Sequence, residues 1–239
     1  MLCNHGATPE LIHVPGFYEP FNAISHLVAT IIFIGLGILL IRHARGERQR
    51  IAFASVYAFA CIFMLSMSGV YHMLVVDGTA SAVMRRLDHG AIFILIAGTF
   101  TAVHGIVFRG WIRWFPLIVV WAVTIASVTL KTVFFNSVPP GVGTALYVVL
   151  GWGVGLVAIP IYRQHGAKYL APLFYGGMAY SIGAICHALP WLIVIPRVIH
   201  AHEVWHLAVM AGAGLHWWFI WNVIRDEKQS LHRPVIVSA

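Results

Sequence analysis

The chain has 239 residues, of which 60% are hydrophobic and only 10% charged, with a mean hydropathy of +0.84. Soluble domains carry about 25% charged residues. Too few polar groups remain here to cover a water-facing surface, so a soluble globular protein is excluded and the chain reads as a polytopic membrane protein. The formal net charge of +7 is no nucleic-acid signal, because the basic residues sit in short loops between apolar runs and act as topology determinants.

The segment Met1–Tyr18 is polar, holds Pro9 and Pro15, and is expected to be irregular or to lie at the membrane interface. Its lack of Lys, Arg and an apolar core argues against a cleavable signal peptide, so the first span is expected to direct insertion. A spanning helix needs about 20 apolar residues. Seven stretches qualify, at 21–43, 51–75, 87–108, 112–131, 143–163, 168–189 and 203–224. The fold class is therefore an all-α integral membrane protein, a seven-transmembrane helix bundle forming a single domain over 1–239. Between the sixth and seventh spans, Pro190–Pro196 is apolar but too short to cross and fits a re-entrant or interfacial piece. Small residues at Gly151, Gly153 and Gly155, at Gly176 and Gly177, and at Gly212 and Gly214 suit close helix packing. Cys3, Cys61 and Cys186 are odd in number and widely spaced, which speaks against a disulfide framework; Cys61 and Cys186 read as apolar fillers.

Basic residues set the orientation. One side of the membrane collects Arg42, Arg45, Arg48, Arg50, Arg109, Arg113, Arg163, Lys168, Arg225, Lys228 and Arg233; the other collects Arg85, Arg86, Lys131 and Arg197. The positive-inside rule puts the C-terminus in the cytoplasm and the N-terminus outside.

Ionisable residues inside membrane helices are costly and tend to be functional. Glu19, Asn22 and His26 share one face at the start of the first span. Ser68 and His72 stand one turn apart at the end of the second. Asp88 and His89 open the third, His187 closes the sixth, and His202, Glu203 and His206 open the seventh. All fall on the N-terminal side of the membrane. His202 and His206, at i and i+4, have the spacing two imidazoles need to share one ion, and His72 supplies a third. An all-histidine shell favours zinc. Three protein ligands leave a fourth position for a water whose pKa zinc lowers toward about 7. Asp88 is then the acceptor or general base for that water, and Ser68 is placed to hydrogen-bond the water or a substrate oxyanion.

Plainer roles stand beside these. Asp88 at a helix start favours the helix dipole. Asp77 and Glu203 lie near the boundary, where water reaches them. Glu19 suits a first helical turn, and Asn22 and His26 suit bonds to neighbouring helices. His89, His104, His187, His200 and His216 read as interfacial, His5, His13, His43, His165 and His232 as solvated, and Trp217, Trp218 and Trp221 as an interfacial belt.

The set Glu19-x-x-Asn22-x-x-x-His26, Ser68-x-x-x-His72 with Asp88 following, and His202-x-x-x-His206, in this order on seven spans, resembles the progestin and adipoQ receptor family; the short tails resemble its bacterial branch, the hemolysin III proteins. The resemblance covers nearly the whole chain. It implies a seven-helix fold distinct in topology from G-protein-coupled receptors, zinc held by His72, His202 and His206, Asp88 on the zinc-bound water and Ser68 close to the metal. The wider superfamily includes alkaline ceramidases, which implies hydrolysis of a lipid amide or ester by a multi-pass protein of the bacterial inner membrane. Support of the site is the expected role of Glu19, Asn22 and His26. Two alternatives accompany this reading: a non-enzymatic sensor or regulator of membrane lipid with structural zinc, and a hemolysin III-type cytolysin. Receptors of the family carry the N-terminus in the cytoplasm, opposite to the charge count here.

Overall fold

The computed structural model describes residues 14–75, 78–137, 139–153, 155–189 and 191–229. Most of the polar N-terminal segment, with Cys3, His5 and His13, lies outside the described residues, as do Asp77, Pro190, His232 and Arg233. The elements in order are α1 (Pro20–His43), α2 (Arg48–Met73), α3 (Thr79–Val107), α4 (Gly110–Val133), α5 (Pro140–Gly153), α6 (Gly155–His165), α7 (Ala167–His187), β1 (Ile193–Ile195), β2 (Ile199–His200) and α8 (Ala201–Gln229). Seven stretches are long and apolar enough to cross a membrane: α1 to α4, the segment Gly141–His165 that runs through α5 and α6, α7, and α8. The chain is a multi-pass membrane protein built as a seven-helix bundle.

Several helices run past the apolar windows. Helix α3 starts at Thr79 rather than near residue 87, and α8 runs to Gln229. At 1.5 Å per residue these 29-residue helices are about 43 Å long, more than the roughly 30 Å hydrocarbon core. Their polar ends therefore remain helical outside it. Asp88 accordingly sits well inside α3, too far from its first turn to serve the dipole there.

Helix α3 is the most enclosed span and α4 and the fifth span the least. Close backbone approach explains the difference. A Cβ on Gly98 of α3 would stand 2.5 Å from the Ala60 Cβ of α2, and one on Gly183 of α7 would stand 2.5 Å from the Ala208 Cβ of α8. Gly176 and Gly212 serve the same end, seating the rings of His216 and Tyr180. Gly151, Gly153 and Gly214 meet nothing within 4 Å, and Gly155 and Gly177 make only ordinary contact with Trp152. For Gly151 and Gly155 the reason is that both line a cavity.

The apolar piece between the sixth and seventh spans forms an antiparallel hairpin, with Ile193 opposite His200 and Ile195 opposite Ile199. Arg197 takes the left-handed conformation at its turn, φ 67°. At the end of the bundle away from the histidines, buried Arg50 donates to the carbonyls of Ala44 and Arg45 and to Glu227. Glu227 also pairs with Arg109, and Lys228 reaches the carbonyl of His43. His43, read from sequence as solvated, is half-buried and stacks on Trp221 at 3.8 Å. Trp217 donates to the Leu36 carbonyl, so this part of the tryptophan cluster packs α8 on α1.

Candidate metal centre

The centre forms where α1, α3 and α8 begin and α2 and α7 end. Pro20 occupies the first turn of α1, where a missing N–H costs nothing, and Glu19 precedes it. The Glu19 amide donates to the His72 carbonyl at 3.0 Å, and the Tyr18 amide to Met73, which ties the start of α1 to the end of α2.

His72, His202 and His206 each bring a ring nitrogen to a common point, all within 4.8 Å of one another. The Nε2 atoms of His202 and His206 are 3.0 Å apart. Two zinc–nitrogen bonds of about 2.0–2.1 Å at a tetrahedral angle separate their nitrogens by roughly 3.3 Å, so the pair is close to ligating geometry. The Nε2 of His72 is buried with no hydrogen-bond partner among the described residues.

The other nitrogen of each ring is engaged. His72 Nδ1 lies 2.6 Å from Glu19 Oε2, His206 Nδ1 2.8 Å from His26 Nε2, and His202 Nδ1 3.3 Å from His187 Nδ1. With each Nδ1 as the donor, three Nε2 lone pairs converge and repel one another, and a cation relieves that repulsion. A metal-binding imidazole held through its second nitrogen by a carboxylate or another acceptor is the usual arrangement around bound metals. The residues therefore fit a metal ion. Burial raises the pKa of the Glu19 carboxyl, but the hydrogen bonds from His72 and Asn22 pull it the other way and it ends below its ordinary value, so it accepts as a carboxylate.

A further layer fixes these partners. Asn22 Nδ2 donates to Glu19 Oε2 at 2.9 Å and to Glu203 Oε1 at 2.8 Å. The second Glu203 oxygen accepts the His200 amide at 2.9 Å, the half of a capping box in which the third helical residue reaches back to the residue before the helix. Glu203 is only 4% exposed; it is a buried bridge between α1 and α8, not a solvated boundary residue. His187, read from sequence as interfacial, is the partner of His202. Sequence had put both on the right membrane face. What it lacked was the pairing, which needs α7 set against α8.

Ser68 is buried one turn before His72, and its Oγ has no partner among the described residues. Asp88 has His89, His72 and Ser68 as its electrostatic neighbours, with Oδ2 3.4 Å from His89 Nδ1. His104 and His216 lie in the bundle interior, bonded to the carbonyls of Ile112 and Leu173; they are packing residues rather than interfacial ones.

A seven-span bundle with three converging imidazoles at one end defines a polytopic membrane protein with a potential metal centre. The family model described as "Haemolysin-III related" matches residues 17–217, and the chain belongs to that family, within the progestin and adipoQ receptor group. It is 29% identical over 199 residues to "Hemolysin-3" of Bacillus cereus, covering 82% of this chain and 87% of the relative. To the "Hemolysin-3 homolog" of Bacillus subtilis it is 26% identical over 197 residues, 82% and 89% of the two chains. It is also similar to the human "Monocyte to macrophage differentiation factor", 23% identical over 230 residues, 92% and 91% of the two chains.

Proposed function

We propose that the protein is a zinc-dependent intramembrane hydrolase acting on an amide or ester bond of a membrane lipid. The observation that carries this is the convergence of a ring nitrogen from each of the three histidines with the Nδ1 of every ring engaged, next to the buried Ser68 hydroxyl and Asp88. His72, His202 and His206 would hold the zinc, which would supply Lewis acidity toward an acyl carbonyl and toward water. Asp88 is the general base, taking a proton from water and returning it to the leaving group. Ser68 donates its hydroxyl to the carbonyl oxygen as charge develops there. Glu19, His26 and His187 hold the imidazoles in one tautomer, and Asn22 and Glu203 hold Glu19 in place.

The orientation that goes with this reading follows the charge count: the site faces the outer side of the inner membrane and the Arg50–Glu227 end faces the cytoplasm. Cysteine-reactive labelling from either side of intact cells tests it.

The catalytic reading is tested with full-length protein in detergent, by counting bound zinc and assaying a panel of lipid amides and esters. The expected result is one zinc per chain and turnover of at least one class, both lost in His72→Ala and His206→Ala. Zinc that persists in both variants overturns the ligand set. A loaded protein that cleaves nothing in the panel favours the role of a lipid sensor with structural zinc. The relatives' name raises membrane lysis as a further reading. Side chains such as Tyr57, Phe93, Leu65, Phe219 and Ile220 are buried in the bundle, and its cavity among α3 and α5 to α8 is lined without Asp, Glu, Lys or Arg, so among the described residues no charged stripe lines a pore there. Leakage of dye from liposomes holding the pure protein would revive it.

A further inference from the structure

Beside the metal centre, two cations share one aromatic ring. The Arg85 guanidinium carbon lies 5.0 Å from the centre of the Phe135 ring, and Lys131 Nζ lies 5.1 Å from it. Each is within electrostatic reach of the other. Lys131 is only 7% exposed and is packed so closely against α5 that a Cβ on Gly143 would stand 3.1 Å from its Nζ. Among the described residues neither cation pairs with a carboxylate.

A buried ammonium beside a second cation is unfavourable unless an anion compensates it. The Phe135 ring contributes a cation–π attraction, and the C-terminal dipole of α4 favours a cation, but neither neutralises two charges. Topology does not account for them either, because both lie on the side poor in basic residues.

A cavity of about 480 Å³ opens among α3 and α5 to α8, lined by apolar residues that include Ile92, Leu95, Ile96, Val148 and Val209. Tyr147 belongs to both places. It lines the cavity, a Cβ on Gly143 would stand 4.0 Å from the Tyr147 hydroxyl and 3.1 Å from Lys131 Nζ, and that hydroxyl donates to the His89 carbonyl at 2.9 Å, one residue from Asp88. A volume of this size is ordinary for a small-molecule pocket. Two cations one tyrosine away from an apolar interior describe an amphiphile with an anionic head.

We infer that Arg85 and Lys131 bind the phosphate of an anionic lipid whose acyl chain occupies the cavity between α3, α5 and α8. The head then lies beside Asp88 and the three histidines. This binding stands whether or not the lipid is turned over, and its test reads affinity and metal content instead of activity.

The test uses full-length protein in dodecyl maltoside, with binding followed by native mass spectrometry. The probes are dioleoyl phosphatidic acid, dioleoylglycerol and inorganic phosphate. Phosphatidic acid is expected to bind wild type, to bind Lys131→Gln and Arg85→Gln about tenfold or more weakly, and to recover in Lys131→Arg. Gly151→Leu, which fills apolar volume, is expected to weaken the lipid too. Dioleoylglycerol and inorganic phosphate are expected to bind weakly throughout, and zinc content to stay at the wild-type value. Equal affinity of phosphatidic acid for wild type and both charge-removing variants overturns the site. Inorganic phosphate binding as tightly as phosphatidic acid overturns the lipid assignment. Should Lys131→Gln fail to fold, the exposed Arg85→Gln carries the comparison.

Discussion

The two ends of the bundle handle polar groups in opposite ways. At the Arg50 end, most guanidinium, carboxylate and carbonyl groups satisfy one another: Arg50 and Arg109 share Glu227, and Arg50 also reaches the carbonyls of Ala44 and Arg45, with Arg113 Nη2 and His43 Nε2 buried and unpartnered among the described residues. At the histidine end, the outer layer is paired through Glu19, Asn22, His26 and Glu203, with Asn22 Oδ1 and His200 Nε2 left over among the described residues, and the pairing stops at the imidazole cluster. A ring nitrogen from each of His72, His202 and His206 faces the other two, the Ser68 hydroxyl is buried beside Asp88, and Lys131 is buried without a counter-ion among the described residues. A polar cluster that closes on itself holds helices together. One whose pairing is directed outward, toward a shared empty valence, is arranged to receive something.

Substitutions at the two ends should therefore separate metal from stability. The largest effect is expected from His72→Ala: loss of stoichiometric zinc by elemental analysis, because two imidazoles remain where three converged. Arg50→Met should do the reverse, lowering unfolding stability by about 3 kcal/mol in a detergent melting experiment while zinc stays at the wild-type count. It strips donors from the carbonyls of Ala44 and Arg45 and one partner from Glu227. Ser68→Ala should retain zinc and lower turnover of any cleaved lipid roughly a hundredfold; unchanged turnover would remove Ser68 from the chemistry. The mildest metal phenotype is expected from Glu19→Gln and His187→Ala, each weakening zinc affinity about 10- to 100-fold in chelator competition. If either equals His72→Ala, that residue is closer to the metal than its contacts indicate.

The spans were legible because a bilayer demands long apolar runs, and the three histidines because helical spacing and span counting place them on one face. What stayed hidden depended on contacts between distant segments. Asp88 looked like a helix-start residue because hydropathy cannot see the polar first turns of α3. Glu203 looked solvated, although a glutamate two residues past the first residue of a helix is the capping-box position and gave a local clue to its inward turn. His187 needed α7 against α8, and Asn22 needed α8 against α1. Lys131 counted as a loop charge until the start of α5 folded over it. The hairpin at Ile193–His200 was masked by its composition: a short isoleucine-rich run between prolines is as apolar as a membrane segment and too brief to reveal its period.

The histidine centre also bears on how the chain is made. His72 and His206 lie more than half the chain apart, and the outer partners come from α1 and α7. A ribosome delivers helices to the bilayer in order, so every earlier span must be in place before the last one brings two of the three ligands. Capture of a metal at this centre would then be the final event of assembly. An ion that binds only the finished bundle adds its binding free energy to that state alone, drawing late assembly to completion. Chains stalled before α8 would lack that stabilisation and stand apart for membrane quality control.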